Sequence, residues 1–338
     1  MLLQVLQRER FGAVARRLAS SRHRASLLNL NASHWKETAR AAAGAQDHPA
    51  PALYVVATPI GNLADLTLRA VHVLGLVDLV ACEDSRVTRR LLRHLALDKP
   101  LLALHQHNEH AAGDAVLQRL AAGARVAYAS DAGTPAVSDP GAALVQAVAG
   151  AGFRVVPIPG ASSVTAALSV AGDALAAGFR FCGFAPSKGA LRQRAWDAAL
   201  ADADAQVWLE APHRIEALAR EWAMRFGQRP VTLCRELTKQ FETVVTLPAA
   251  QLVQWLTADA DRERGEFVLV LHASPPRAHD DAAASGAPAP DVTRVLDILL
   301  SELPLKQAVA LTARISGAPR NALYQQALQR RDAGSERG

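Results

Sequence analysis

Apolar and polar positions between residues 53 and 158 follow the rhythm of strands separated by amphipathic helices. The short apolar runs of this region lie at 53–57, 77–82, 125–130 and 153–158. The stretches with helical periodicity lie at 67–76, 86–95, 111–122 and 141–151. Strands that alternate with crossover helices predict a parallel sheet. We therefore predict a first α/β domain over residues 53–175.

The pattern changes near residues 173–186, and strand-like runs then follow one another with only two helical patterns between them. These runs lie at 179–184, 206–209, 231–235, 242–247 and 266–272. Such a succession of strands indicates a mixed or antiparallel sheet. It predicts a second α/β domain over residues 178–274.

The chain after the second predicted domain divides into a linker and a helical segment. Residues 275–290 have the Pro, Ala, Asp and Gly composition of a linker. Three helical patterns follow, at 291–302, 304–316 and 320–330. The tight break at 316–319 resembles a helix-turn-helix, although most short helical hairpins only pack against their neighbours. Both interpretations of the segment 291–330 stay open.

The composition is that of a globular α/β protein with more than one domain. Half of the 338 residues are hydrophobic and only 5% are aromatic. No apolar run approaches the roughly 18 residues that a membrane-spanning helix needs. Cys82, Cys182 and Cys234 lie far apart, without the spacing of a zinc site or a disulfide framework. They are interpreted as buried thiols in a reducing compartment, which favours the cytoplasm.

The net charge of +5 resides in the first 50 residues, which carry eight Lys or Arg against three acidic residues. The remainder is neutral, so its total charge neither favours nor excludes an RNA partner. We predict that residues 1–52 form a basic, disordered arm. An RNA-contacting arm and an extension from an upstream start codon are the alternatives, and the arm lacks the apolar core of a secretory signal.

Three loops of small residues follow predicted strands, where open α/β sheets bind their ligands. They are PIGNL, SDAGTP and PGASS, at 59–63, 130–135 and 159–163. Gly61 allows bare backbone to approach a ligand, and Asp131 with its neighbouring amides can hold a ribose or an amino-acid group. Ser162 or Ser163 can cap a helix whose free amides face a ligand. Asp139 is interpreted only as a residue near a helix start.

Common nucleotide-binding motifs are missing from this sequence. It contains no G-x-x-x-x-G-K-[ST], and no G-x-G-x-x-G follows the first strand. Neither an ordinary nucleoside triphosphatase nor a Rossmann-type dinucleotide or methyltransferase site is therefore indicated.

Nine sequence blocks, in one order, carry a resemblance to a known family. They are LYVVATPIGNLADLTLRA, ACEDSRVTRRLL, LHQHNEH, SDAGTPAVSDPG, VVPIPGASSVTAALSVAG, LEAPHR, CRELTKQFE, RGEFVLVL and LPLKQAVALTARISGAPRNALYQQAL. Together they resemble the 2′-O-ribose cytidine methylases of small-subunit (16S) rRNA, within the tetrapyrrole methylase-like superfamily. The resemblance runs from residue 53 to residue 330. It implies two α/β domains with S-adenosylmethionine in the cleft between them, and a homodimer that acts on 16S rRNA within the small subunit.

The resemblance also implies which residues contact the cofactor. In the first domain they are Ile60, Gly61, Asn62, Ser130, Asp131, Ala132, Gly133, Thr134, Ala161, Ser162 and Ser163. In the second domain they are Leu209, Glu210, Arg235, Glu236 and Leu237.

Methyl transfer from a sulfonium to a ribose hydroxyl needs alignment of the acceptor oxygen, the methyl group and the sulfur. A metal is not required in principle, but a base or a cation assists because the hydroxyl is a weak acid. The catalytic candidates are Glu83, Asp84, Arg86 and Lys239. Of Glu83 and Asp84, we expect one carboxylate to face the cleft and the other to be structural, with Arg86 as an ion partner. Further candidates at predicted strand ends are Glu210, His213, Arg214, Arg235 and Glu236.

Contacts with RNA are predicted for a second set of basic residues. On the rim of the cleft and in the C-terminal helices they are Arg214, Lys306, Arg314 and Arg320. His105, His107 and His110 suggest a metal site by their spacing, but no carboxylate or cysteine pattern accompanies them, so we expect no metal.

Two other classes of function stay open. One is a methylase of small molecules of the tetrapyrrole type, against which the C-terminal helical segment argues. The other is a non-catalytic RNA-binding assembly factor, which would not need complete cofactor loops.

Overall fold

The computed structural model describes residues 34–105, 108–139, 141–274 and 290–335. The chain divides into two compact units. The first contains the described residues up to Gly172 together with Phe181–Ala185 and Val207–Leu271. The second contains Asp173–Arg180, Pro186–Gln206 and the described residues after Leu271.

Ordered structure begins before the first strand. Residues 34–43 form a helix, α1, in which Ala39 and Ala43 are buried. The Lys36 ammonium donates a hydrogen bond to the carbonyl of Ala96, at 2.9 Å. Ordered sequence was expected to begin near Leu53, and the structure differs for this part of the arm because Ala39 and the half-buried Trp35 pack the helix against the first core. The rest of the arm, residues 1–33, lies outside the described residues.

The first unit contains a parallel five-stranded sheet in the order β3-β2-β4-β1-β5. Its strands are β1 (Ala52–Val56), β2 (Leu79–Cys82), β3 (Leu101–Ala103), β4 (Arg125–Ala129) and β5 (Arg154–Ile158). The helices that follow them are α2 (Leu68–Leu76), α3 (Ser85–His94), α4 (Glu109–Ala121), α5 (Gly141–Gly150) and α6 (Ser163–Ala171). The predicted parallel sheet is confirmed, and it includes β3, which the apolar pattern did not predict.

Both faces of this sheet are covered. Tyr54 and Val56 of β1 belong to one hydrophobic cluster, together with residues of α2 and α3. Leu53 and Val55 belong to a second cluster, together with residues of α4 and α5. A strand covered on both faces needs apolar side chains at successive positions. This explains why β1 is a continuous apolar run rather than an alternating one.

The second sheet has the order β6-β7-β10-β8-β9. Its strands are β6 (Phe179–Phe184), β7 (Ala205–Glu210), β8 (Pro230–Arg235), β9 (Thr243–Pro248) and β10 (Phe267–Leu271). Between them lie α7 (Gly189–Ala201), α8 (Pro212–Phe226) and the short α9 (Leu252–Thr257). Strand β8 pairs antiparallel with both β9 and β10. The antiparallel character expected from the succession of strands is thus confirmed.

The C-terminal segment of the second unit is helical. Its helices are α10 (Pro290–Glu302), α11 (Leu305–Ser316) and α12 (Arg320–Ser335). They share a small core of Leu296, Val309, Leu323 and Ala327. Gly317 ends α11 with φ of 71°, a left-handed conformation that favours glycine. Among the described residues, no helix has the length and apolarity needed to cross a membrane.

Candidate active site

The three loops that are predicted to bind a ligand meet at the carboxyl edge of the first sheet. Because β1, β2, β4 and β5 are parallel, the segments that follow them emerge at the same edge. Residues 57–63 follow β1, residues 83–84 follow β2, and the loops starting at 130 and 159 follow β4 and β5. The three loops predicted from sequence are therefore neighbours in space.

Hydrogen bonds join these loops into one rim. The amide of Thr58 donates to the carbonyl of Gly133 at 2.9 Å, and the amide of Gly133 donates back at 3.0 Å. The Asp84 amide donates to Oδ1 of Asp131 at 3.0 Å. The Thr134 hydroxyl donates to the carbonyl of Ala161 at 3.1 Å. The loop after β4 is thus tied to the loops after β1, β2 and β5.

Asp139 organises the far end of the loop after β4. Its carboxylate accepts hydrogen bonds from the amides of Ala136 and Gly141 and from the hydroxyl of Tyr128, at 2.8 to 3.0 Å. Burial and the nearby Asp139 charge raise the pKa of Tyr128, so its hydroxyl stays a donor. Asp139 therefore lies at the start of α5, as predicted, but it also lines the second cleft described below.

A first cleft of about 610 Å³ opens beside this rim. One wall is α3, and another is the loop after β1. Its polar and charged lining residues are Thr58, Thr88, Arg90, His94, Ser130, Asp131, Lys239 and Glu266. Its apolar lining and backbone come mainly from Pro59, Ile60, Gly61, Leu63, Val87, Leu91 and Ala132.

A second cleft of about 490 Å³ lies on the other side of Ser130–Ala132 and reaches the ends of strands in the second sheet. The first sheet contributes Glu83, the residues 130–134 and Ser162–Val164. The second sheet contributes Phe181, Phe184, Leu209, Glu210, Phe267 and Val268. Its size and its mixture of aromatic, aliphatic and amide groups are typical of a site for a small organic ligand. The two clefts share Ser130, Asp131, Ala132 and Glu266.

Most of the residues predicted to bind the cofactor line one of these clefts. Those in the second cleft are Ser130, Asp131, Ala132, Gly133, Thr134, Ser162, Ser163, Leu209 and Glu210. Ile60 and Gly61 line the first cleft, and Leu237 lines a cavity of about 110 Å³ beside Ile60.

Four predicted cofactor contacts hold the loops instead of lining the two clefts. Asn62 caps a short 3₁₀ turn by accepting from the amide of Ala64 at 3.0 Å. Ala161 accepts from Thr134. Arg235 donates to the carbonyls of Arg264 and Phe241. Glu236 binds Lys239, as described below.

The structure separates the roles of Glu83 and Asp84. Glu83 lines the second cleft, where burial and the nearby Asp131 raise its pKa above 4.5. Asp84 caps α3 and pairs with Arg86 at 2.7 Å, and the hydrogen bonds from Arg86 lower its pKa to about 2. Burial also raises the pKa of Asp131. Asp84 and Arg86 line neither cleft, whereas Glu83 is the carboxylate in position to face a ligand.

Lys239 is held between two carboxylates. Its ammonium lies 2.8 Å from Oε1 of Glu236 and 3.0 Å from Oε2 of Glu266. Burial acts to lower the pKa of Lys239, but the hydrogen bonds to both carboxylates outweigh it and raise the pKa above 10.5. Lys239 is therefore a permanent cation at neutral pH. Its side chain crosses Gly61, where an added Cβ would come within 2.5 Å of the Lys239 Cγ.

The loop that carries Lys239 is strained. Glu236 and Thr238 have φ of 52° and 66°, in the left-handed region that non-glycine residues rarely occupy. Such strain persists only where surrounding contacts enforce it. Here the amide of Glu236 donates to the carbonyl of Glu266, and the Thr238 amide donates to Glu242 at 2.5 Å.

The residues predicted to contact RNA lie in different settings. Arg214 is half-buried, pairs with the buried Glu210 at 3.0 Å and donates to the Ala185 carbonyl. In the second unit, Lys306, Arg314 and Arg320 are exposed on α11 and α12. His213 is exposed at the start of α8.

Of the three histidines whose spacing suggested a metal site, the structure describes two. His107 lies outside the described residues, and His105 and His110 are exposed. No group of three or more potential metal ligands occurs in the described part of the chain.

Sequence reasoning missed several polar residues of the clefts, among them Glu266, Arg90 and His94. Glu266 precedes β10 within the RGEFVLVL block, and no role was assigned to it although it lines both clefts. Arg90 and His94 line the first cleft from α3. A helical projection of residues 85–94 would have placed both on the polar face.

Comparisons with known proteins give the family. Residues 52–253 match the family described as Tetrapyrrole (Corrin/Porphyrin) Methylases, and residues 286–331 match the RsmI C-terminal HTH domain. The ribosomal RNA small subunit methyltransferase I of Pseudomonas aeruginosa is 46% identical over 280 residues, which cover 82% of this chain and 97% of that protein. The protein of the same name from Neisseria meningitidis serogroup A is 44% identical over 276 residues, covering 82% and 92%.

A solved structure shows the same fold. The crystal structure of diphthine synthase superimposes with a TM-score of 0.51 at 15% sequence identity, and it covers 65% of this chain and 90% of that one. The relatives, by contrast, match 82% of this chain at more than 40% identity. The chain belongs to the ribosomal RNA small subunit methyltransferase I family, with a methylase region of the tetrapyrrole methylase fold.

Proposed function

We propose that this protein transfers the methyl group of S-adenosylmethionine to the ribose 2′-oxygen of a cytidine in 16S rRNA. The observation that carries the proposal is the pair of clefts that share Ser130, Asp131 and Ala132. A transfer between two substrates needs two sites that meet at the reacting atoms. The first cleft contains the cation Lys239, and the second has the lining of a cofactor site.

The second cleft fits S-adenosylmethionine, which supplies a methyl group already activated on a sulfonium. Phe181, Leu209 and Val268 offer apolar surface to an adenine, and the start of α6 at Ser163 offers free amides. Gly133 has φ of 80°, a conformation that favours glycine. Because glycine has no side chain, the wall of the cleft at this position is backbone that a ligand can approach closely. The residues proposed to hold the cofactor are Ser130–Thr134, Ser162, Ser163, Leu209 and Glu210.

The chain's own residues then act on the acceptor hydroxyl. Lys239, a permanent cation in the first cleft, stabilises the negative charge that develops on the ribose oxygen. Glu83 is the proposed base: it lines the second cleft beside Asp131, which both clefts share, and a carboxylate with a raised pKa accepts a proton near neutral pH more readily than an ordinary one. Asp84 and Arg86 position α3 through the cap and the ion pair.

The acid limb of the pH–rate profile tests the role of Glu83. Because its pKa is raised above 4.5, we expect activity to fall as the pH decreases through that raised value and the carboxylate becomes protonated. Glu83→Gln is expected to lower kcat by about 10²-fold and to remove this limb. The limb is measured from methyl transfer between pH 5 and pH 8. An unchanged limb in Glu83→Gln, with wild-type kcat, would assign the proton to another group.

The experiment for the function as a whole is tritiated methyl transfer from S-adenosylmethionine to small ribosomal subunits from a strain that lacks this gene. We expect label on a ribose 2′-oxygen of the 16S rRNA, and free 16S rRNA serves as the parallel acceptor to decide between rRNA and the assembled subunit. Cofactor binding without label on either acceptor would overturn the rRNA assignment. Label on a porphyrinogen instead would support the small-molecule alternative, which the match of residues 286–331 disfavours.

The partners and location follow from the same proposal. We infer that Arg214, Lys306, Arg314 and Arg320 contact the rRNA and that the enzyme works in the cytoplasm, where small subunits are available. We also propose a homodimer. In the first unit, Met224 and Phe241 are 80% and 67% exposed, and burying such side chains against a second copy would favour association. Sedimentation of the full chain measures the oligomeric state.

A further inference from the structure

Helix α3 (Ser85–His94) carries a continuous basic face. Successive residues of a helix are rotated by about 100°, so five of its side chains occupy one arc of about 140°. These exposed residues are Arg86, Arg89, Arg90, Arg93 and His94. The buried residues on the opposite side are Thr88, Leu91 and Leu92. We call the five exposed side chains the α3 basic face.

Little of this positive charge is neutralised within the protein. Arg86 pairs with Asp84 at 2.7 Å. Among the residues that the structure describes, no carboxylate forms an ion pair with Arg89, Arg90 or Arg93. The helix itself contains no acidic residue. A merely solvated helix face usually mixes charges of both signs, so the composition of the α3 basic face favours an anionic partner.

The position of the α3 basic face beside the first cleft indicates what kind of anionic partner it binds. Arg90 and His94 form the edge of the arc that lines the first cleft, beside Val87 and opposite the loop of Gly61. Arg89 and Arg93 lie further from the cleft along the same arc. If one nucleotide of a polyanionic strand lies in the first cleft, the neighbouring nucleotides of that strand would therefore pass over α3.

We propose that the α3 basic face binds the phosphates of the RNA strand that flank the acceptor nucleotide. The inference rests on the proposed function, since it assigns the ribose to the first cleft. From residue 86 to residue 93 the helix rises about 10 Å, so its cations can reach more than one phosphate of an RNA strand. Arginine guanidinium groups bind phosphate oxygens through paired hydrogen bonds.

The test compares two double variants with the same loss of charge. Arg89→Gln/Arg93→Gln removes two cations of the α3 basic face, and glutamine has a helix propensity close to that of arginine. The control, Arg119→Gln/Arg154→Gln, removes two exposed arginines at the opposite edge of the first sheet, at the end of α4 and the start of β5. Binding to a single-stranded 16S rRNA fragment is measured at several salt concentrations, and methyl transfer to small subunits is measured in parallel.

For the α3 variant we expect affinity for the fragment to fall about tenfold, and the slope of log K against log salt to become shallower by about 1.4, or 0.7 per lost phosphate contact. KM for subunits should rise while cofactor affinity stays at the wild-type value, and the control should match the wild type in all measurements. An equal loss in both double variants, or wild-type slope and KM in the α3 variant, would overturn the inference and leave the proposed function standing. Absence of methyl transfer by the wild type would overturn both.

Discussion

Replacing Lys239 with methionine is expected to lower kcat for methyl transfer by about 10²- to 10³-fold, with a smaller effect on cofactor affinity. Methionine preserves much of the apolar stem but removes the cation that lies 2.8 Å from Glu236 and 3.0 Å from Glu266. The ribose oxygen would then develop its charge near two carboxylates with no cation to balance them. Single-turnover methyl transfer measures the loss, and isothermal titration with S-adenosylmethionine measures binding.

Two variants separate the charge of Lys239 from its position. Lys239→Arg keeps the charge and should retain more activity than Lys239→Met. Gly61→Ala leaves Lys239 intact, but its new Cβ would meet the Lys239 Cγ at 2.5 Å and force the side chain to move. We expect Gly61→Ala to lower kcat by about 10²-fold, since small displacements of catalytic groups have effects of this size. If Lys239→Met kept wild-type kcat, the ammonium would have no part in the reaction.

Replacing Asp131 with alanine should have the second large effect, a loss of at least about 10²-fold in kcat/KM together with weakened cofactor binding. Asp131 lines both clefts, and its Oδ1 accepts the amide of Asp84. Alanine would release the loop after β2 from the loop after β4, so Glu83 would lose its position as well. The lost hydrogen bond should also lower the free energy of unfolding by about 1 kcal/mol.

Asp131→Asn is the matched control for this change. Its amide oxygen can still accept from Asp84, so the rim should persist and the free energy of unfolding should stay close to that of the wild type. Activity between those of the wild type and of Asp131→Ala would show that Asp131 acts partly by holding the loops. Equal and complete inactivity of both variants, with the fold intact by circular dichroism, would assign the whole effect to the carboxylate charge. Wild-type cofactor affinity in Asp131→Ala would contradict the proposed cofactor loop.

The sequence was informative where local periodicity decides structure. The strands β1, β2, β4 and β5 were predicted because each is an apolar run between amphipathic helices. β3 was missed although its residues are apolar, because a strand of only three residues is shorter than the runs that usually indicate a strand. The helix at residues 34–43 was missed although Trp35, Ala39 and Ala43 have helical spacing, because it lies in the basic segment that was interpreted as a disordered arm.

The candidate site, too, could be predicted from the sequence only in part. Small-residue loops at the ends of parallel strands are visible in the sequence, and the shared direction of the strands brings them to one edge. The sequence left Glu83 and Asp84 indistinguishable. Only the fold showed that Asp84 caps α3 while Glu83 lines the second cleft.

What the sequence by itself determined, then, was the order of most elements, the small-residue loops at the ends of the strands and the family that the nine blocks resemble. What only the tertiary structure decided was which distant residues meet: Lys239 over Gly61, Glu266 beside Lys239, and Asp131 on the amide of Asp84. The reason is physical. Periodicity and turn chemistry act between residues a few positions apart, whereas the distance between two loops depends on how whole sheets and helices pack.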